Sequence, residues 1–218
     1  MAISTLFNKC IICKSVPKRN AFIFCPCQHL EVVAGFASFS VSLLSLRAIV
    51  YFFNQHHFMS YRIGFGIDFH QLAPGRELWI GGVQIPHHKG SLGHSDADVL
   101  LHAICDALLG ALALGDIGMH FPNTDPAYKN ISSKILLQKC FDLIRQKGYR
   151  VVNIDSSICL EEPKIKKYSP AMRSIIAAVL EITEEDVSVK ATTTEKMGFA
   201  GREEGLVAYA NVLLMSDV

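Results

Sequence analysis

The chain has 218 residues, half of them hydrophobic and 19% charged, which is enough apolar material for a packed domain and too little charge for a disordered chain. Its net charge of +1 is unevenly held: residues 1–60 carry five basic residues and one acidic, net +4, which leaves 16 basic and 19 acidic in the remainder, net −3. A net-acidic domain argues against nucleic-acid binding, but not against a small anionic substrate met through a bound cation.

The first sixty residues differ from the rest in charge, cysteine usage and hydropathy. Cys10, Cys13, Cys25, Cys27 and His29 have the ingredients of a zinc site, but the second half is spaced too tightly for an ordinary finger. An apolar run from Val32 to Phe53 approaches bilayer length; Arg47 within it is costly, and no signal-peptide cleavage pattern follows. Few acids and several serines also fit an organelle transit peptide. Met59 stands two residues before the first expected strand, so a second reading puts the true start there. Residues 1–60 are thus a leader, either a targeting segment or a misassigned start, and residues 61–218 are the domain. The expected location is cytoplasmic, or a plastid if the leader is a transit peptide. Cys105, Cys140 and Cys159 lie in apolar surroundings at irregular spacing, as reduced buried cysteines do.

Tyr61–Asp68 is β-prone and interrupted by Gly64 and Gly66, which permit a bulge or a close backbone approach. After Pro74-Gly75, short strands are expected at Leu78–Ile80 and Val83–Ile85. Asp98–Leu114 has helical apolar spacing, with Ser95 and Asp98 as a capping box and Gly115 as its stop. A second helix spans Ser132–Lys147 and ends at Gly148. Tyr149–Leu160 is strand-like, with Val152, Ile154, Ser156, Ile158 and Leu160 on one face. Ser169-Pro170 opens a third helix that runs to about Ile182, and Val187–Ala191 and Leu206–Met215 are closing strands. Mixed order without regular βα alternation predicts an α+β fold, a mixed β-sheet with helices packed on one face.

Asp68 and His70 are two apart on a strand, so both side chains leave the same face. His102 lies on the strongest helix. One carboxylate and two imidazoles make the three-ligand set of a catalytic zinc, with a fourth position open. Asp98 and Asp106, one turn to either side of His102, are expected to orient its ring. His94 and Ser95 precede the helix, where free amides favour phosphate; Ser95 and Asp96 also suit simple capping. Thr192, Thr193 and Thr194 offer hydroxyls at a strand end that could equally continue the strand, and Glu195 suits a divalent cation.

The runs IGFGIDFH (63–70), IGGVQIPHHKGSLGHSDADVLLHAICDALLGALALGDIG (80–118), FPNTDP (121–126), EEPK (161–164) and VKATTTEKMGFAGREEG (189–205) together closely resemble the 2-C-methyl-D-erythritol 2,4-cyclodiphosphate synthases. The resemblance covers 61–215. It implies a homotrimer with active sites at subunit interfaces, one Zn2+ per subunit on Asp68, His70 and His102, and Mg2+ or Mn2+ on Glu195. It makes His94 and Thr193 the catalytic phosphate-positioning pair. Substrate contacts carried over are Asp68, His70, His94, Ser95, Asp116, Ile117, Gly118, Phe121, Pro122, Asn123, Thr124, Asp125, Leu160, Glu161, Glu162, Pro163, Lys164, Ile165, Lys166, Thr192, Thr193, Thr194, Glu195, Phe199 and Arg202. Asn123 and Glu161-Glu162 depart mildly from the family pattern. The implied partner is a nucleotide-linked small molecule, with no nucleic acid and no membrane for the catalytic domain. The implied reaction is intramolecular phosphoryl transfer that releases CMP. A zinc phosphodiesterase, which would activate water on the same ligands, is the rival, and a non-catalytic binder of isoprenoid diphosphates is a further one.

Overall fold

The computed structural model describes residues 30–34, 37–41, 59–122, 124–128 and 131–217. The chain divides into two units, residues 1–57 and 58–218. In the first, β1 (Leu30–Ala34) and β2 (Ala37–Val41) pair antiparallel as a hairpin. The described part of the long apolar run is therefore extended, and among the described residues no helix is long and apolar enough to cross a membrane. The leader cysteines and His29 lie outside the described residues.

The second unit is built on a five-stranded mixed sheet. Its strands are β3 (Tyr61–Pro74), β6 (Lys89–Ser91), β7 (Tyr149–Cys159), β8 (Val187–Thr192) and β9 (Gly205–Ser216), in the order β6-β3-β9-β7-β8. Only the β7–β8 pair is parallel. β4 (Leu78–Ile80) and β5 (Val83–Ile85) form a separate hairpin. The helices are α1 (Val99–Ala111), the single turn α2 (Ile117–His120), α3 (Ser133–Gln146), α4 (Ser169–Leu180) and the single turn α5 (Gly198–Gly201).

α1 packs on β3 and β9 with one side and on α3 with another, so ten of its residues are buried and the helix is apolar nearly all round. Its approach to β3 is unusually close. A Cβ on Gly64 would overlap the Ala107 carbonyl oxygen, and one on Gly66 would lie 2.7 Å from the Ala107 nitrogen. The strand glycines and the helix alanines 103, 107 and 111 form a seam of small residues.

The expected α+β architecture is present, and four details differ. β3 continues to Pro74 because its tail pairs with both β9 and β6. α1 ends at Ala111, since Ala113 takes a left-handed conformation (φ 55°) and the Leu114 amide closes on the Leu109 carbonyl. α4 ends at Leu180, where Glu181 turns left-handed at φ 55°. In β7 a bulge between Val151 and Asn153 leaves Val152 over, so Val151 takes the buried face in its place. The opposite sheet face is apolar and open: Ile63 is 76% exposed and Phe65 57%, and Ile67, Phe69 and Tyr209 are exposed with them.

Gly64→Ala should destabilise the unit by at least ~1–3 kcal/mol, because backbone rather than a flexible side chain must move. Urea unfolding measures it, and an unchanged midpoint would mean that the helix–strand seam is slack.

Candidate active site

Asp68 and His70 leave β3 on the same side as Gly64 and Gly66, toward α1, and meet His102 there. Asp68 Oδ2 lies 3.0 Å from His70 Nε2 and 3.1 Å from His102 Nδ1, and the two ring nitrogens are 3.1 Å apart. These near-equal edges approach the roughly 3.3–3.5 Å between ligands of a tetrahedral ion bound at ~2.0–2.2 Å.

The outer ring nitrogens fix the protonation. His70 Nδ1 is 3.0 Å from the Leu92 carbonyl, which can only accept, so the proton sits on Nδ1 and Nε2 turns a lone pair inward. His102 Nε2 meets Ser133 Oγ at 2.9 Å. That hydroxyl donates its own proton to Asp96 through a short hydrogen bond, so His102 donates to it and also presents a bare nitrogen inward. Two lone pairs and a carboxylate oxygen converge on one point, an arrangement that repels itself unless a cation lies among them. The residues fit a metal ion.

A proton on an inward ring nitrogen also relieves that repulsion. Burial pushes the Asp68 carboxyl up, but hydrogen bonds from His102 and His70, with their charge, outweigh it and hold the group well below the ordinary carboxylate range. Burial pushes the His102 ring down, and the Asp68 hydrogen bond and charge lift it above the ordinary histidine value. Metal binding must therefore displace protons from this site.

Asp98 and Asp106 do not orient His102, contrary to the expectation from their spacing. Asp98 is fully buried and caps α1: its carboxylate accepts from the amides of Leu100 and Leu101 and, at 2.8 and 2.6 Å, from Gly81 and Gly82 of the β4–β5 turn. Burial raises its pKa, against the pull of those amides. Ser95 is consequently no cap for α1; its hydroxyl accepts from Ala97 and stands 3.2 Å from His102 Nε2. Asp106 accepts from the Ile117 amide at 2.8 Å and pins α2. The orienting pair is Ser133 and Asp96, 37 positions apart, and nothing in the local sequence of either marks it.

A cleft of about 560 Å³ opens over the three ligands. His94, Ser95, Ile117, Gly118 and Phe121 line it as expected, and Tyr128, Ile131 and Leu136 add an apolar wall that sequence spacing did not reveal. Asp116 spends its carboxylate on the Met119 amide. Pro122, Thr124 and Asp125 continue the segment beyond the cleft lining, and Asn123 lies outside the described residues.

The remaining expected residues form a second cluster. The Leu160 amide bonds Thr192 O, Glu161 Oε2 accepts from the Lys196 amide, and Thr193 Oγ1 donates to Glu195 Oε1 at 2.9 Å. Thr194 Oγ1 donates to Met197 O. Glu195 and Lys196 are both left-handed, at φ 52° and 64°, which costs about 1–2 kcal/mol each. Lys164 pairs with Glu162, Phe199 packs on Phe69, and Arg202 holds Glu204. Leu160 and Ile165 are buried in the core, so only their backbone can face a ligand. Strand pairing puts Asp68, Ala208, Ile158 and Ala191 in one row across the sheet. The ends of β7 and β8, with Leu160 and Thr192–Glu195, thus share one sheet end with Asp68 but lie two and three strand spacings, about 10 and 14 Å, from β3, whereas Phe199 returns to β3.

The sequence model of the YgbB family matches residues 61–215. The chain belongs to the YgbB family. It is 62% identical over 159 residues to the 2-C-methyl-D-erythritol 2,4-cyclodiphosphate synthase of Bacteroides thetaiotaomicron, across 73% of this chain and 100% of that protein. Among solved structures it is similar to the bifunctional IspDF of Campylobacter jejuni, with 43% identity, a TM-score of 0.70, and coverage of 73% of this chain but 43% of that longer one. It is also similar to IspF of Plasmodium falciparum in complex with CDP, with 35% identity, a TM-score of 0.65, and coverage of 73% and 98%. The YgbB match begins at the first residue of β3 and takes in both clusters.

Ser133→Ala should keep the fold and weaken divalent-metal affinity about 10–100-fold, because His102 loses the acceptor that sets its tautomer. Competition with a chromophoric chelator measures this; wild-type affinity would show that Ser133 does not orient the ligand.

Proposed function

We propose that the Asp68–His70–His102 centre, with its adjoining cleft, is the catalytic metal site of a cyclising phosphoryl transfer. The chain is a lyase of isoprenoid biosynthesis that converts 4-diphosphocytidyl-2-C-methyl-D-erythritol 2-phosphate to 2-C-methyl-D-erythritol 2,4-cyclodiphosphate and CMP. The observation that carries the site assignment is the convergence of His70 Nε2, His102 Nδ1 and an Asp68 carboxylate oxygen, 3.0 to 3.1 Å from one another, beside an open cleft.

The substrate's 2-phosphate oxygen forms a bond to the β-phosphorus, the α–β bridging P–O bond breaks, and CMP leaves with the bridging oxygen and its electron pair. The nucleophile is already an anion, so the reaction needs positioning and charge neutralisation rather than a strong base. Zn2+ held by Asp68, His70 and His102, and Mg2+ or Mn2+ held through Glu195, would supply Lewis-acid charge on the phosphoryl oxygens. His94, at the cleft mouth, donates to a phosphoryl oxygen, and Thr193 donates to another. Ser95, Ile117, Gly118 and Phe121 shape the cleft around the erythritol and diphosphate. The second cluster, Leu160 to Lys166 with Thr192 to Glu195, Phe199 and Arg202, takes the cytidine end; Asp116 and residues 122–125 border the site.

The spacing of about 14 Å between the β3 and β8 rows favours His94 and Thr193 acting on one phosphoryl group from different chains. We therefore assign the second cluster to the neighbouring subunit of a homotrimer, assembled through the open apolar face of Ile63, Phe65 and Ile67. The hydrolytic alternative needs a positioned base for water, and among the described residues that line the cleft His94 is the one candidate outside the metal cluster.

Phosphorus NMR of the product distinguishes the readings: a cyclic diphosphate is expected, and a linear product would indicate hydrolysis. His102→Ala should abolish turnover. Thr193→Ala should lower kcat about 10²–10³-fold, the usual cost of one positioned donor. Mixing the two variants after subunit exchange should restore part of the activity, because some interfaces then carry both intact residues. Failure to complement, with exchange verified, would place the site within one chain.

The domain is residues 61–218, and the leader takes no part in its chemistry. Protein starting at Met59 should match the full chain in oligomeric state, melting temperature and CMP release; loss of activity or assembly would move that boundary. It is cytoplasmic with that start, and plastid-directed if residues 1–60 act as a transit peptide. The N-terminal peptide of the native protein decides between the two.

A further inference from the structure

A second convergence of ligand-type side chains lies outside the catalytic cluster. His87 and His88 sit in the loop between β5 and β6, and Glu203 sits in the turn between α5 and β9. One ligand atom from each of the three lies within 4.8 Å of the others. Neighbouring residues on an extended chain point apart. Here the loop bends so that the two rings are 4.2 Å apart at 58°.

One further observation points to a ligand. His87 Nε2 is shielded from solvent and has no hydrogen-bond partner, which leaves a polar atom unsatisfied. Glu203 is held left-handed at φ 54°. The two segments are tied independently of the carboxylate, through Lys89 Nζ on the Glu203 carbonyl at 2.8 Å, so the Glu203 side chain remains available. Glu204, by contrast, is committed to Arg202.

We propose that His87, His88 and Glu203 form a second divalent-metal site, separate from the Asp68–His70–His102 centre. Two imidazoles and one carboxylate suit zinc or a similar first-row ion rather than magnesium or calcium. The charges around His87 suit this as well: the carboxylates of Glu203 and Glu162 act against the ammonium of Lys89. The ion would fasten the β5–β6 loop to the turn that leads into β9. It would act as a structural clamp, with no part in the phosphoryl transfer.

The test uses the full chain with the first centre silenced by His70→Ala and His102→Ala, stripped of metal and equilibrated with zinc. About one zinc ion per chain should remain bound, and zinc should raise the melting temperature. Adding His88→Ala, or separately Glu203→Gln, should remove both the ion and the shift. Metal-free melting curves that match the parent exclude unfolding as the cause. Cobalt in place of zinc should give visible absorption that either substitution abolishes. The proposal is overturned if the silenced chain binds no zinc at saturating micromolar concentration, or if both added variants bind as much as their parent.

Discussion

The chemistry of the second unit depends on how closely α1 lies against β3. A metal site tolerates ligand errors of only about 0.2 Å, and here one candidate ligand comes from a helix while two come from a strand. Glycines at 64 and 66 and alanines at 103, 107 and 111 let the two backbones touch. That contact brings His102 Nδ1 to 3.1 Å from Asp68. A larger residue anywhere along the seam would lift the helix and open the triangle. The buried leucines and isoleucines on the remaining sides of α1, each contributing roughly 1.5–3 kcal/mol on burial, press the helix into this position.

Four aspartates surround α1 and perform four different tasks. Asp68 is a ligand. Asp96 accepts the Ser133 proton and so sets the tautomer of His102. Asp98 ties the helix start to the β4–β5 turn through four amides, and Asp106 secures α2 beyond the helix end. The division follows from what each carboxylate can reach. Asp98 is buried among amides and is committed to them, whereas Asp68 faces two imidazoles and an open cleft.

The sheet explains why so many functional candidates sit at one end of the molecule yet in two groups. β3 and the parallel pair β7–β8 all run the same way, with β9 reversed between them. Their C-terminal ends therefore deliver Asp68 and His70, Leu160, and Thr192 to Glu195 to a common edge. β9 and β7 keep the groups apart. In the trimer we propose, the open apolar face is buried and a neighbour supplies the distant group, so assembly and catalysis would be one event.

The sequence alone marked the three long helices and most of the strands, though not β6 or the single turns α2 and α5, and it singled out Asp68, His70 and His102 as candidate ligands. Periodicity marked α1, alternation and turn residues marked the strands, and the i, i+2 spacing of Asp68 and His70 forced them onto one face. These are short-range properties, set by the geometry of one strand or one helix. It did not determine which partners hold those ligands in place. Helical spacing pointed to Asp98 and Asp106 as neighbours of His102, and both turn to backbone amides instead. Ser133 and Asp96, which do orient the ring, meet only because α3 packs across α1. The Val151 bulge and the separation of the two site clusters likewise depend on pairing between strands far apart in the chain. Long-range packing and hydrogen-bond competition decide such contacts, and no local pattern of residues encodes which competitor wins.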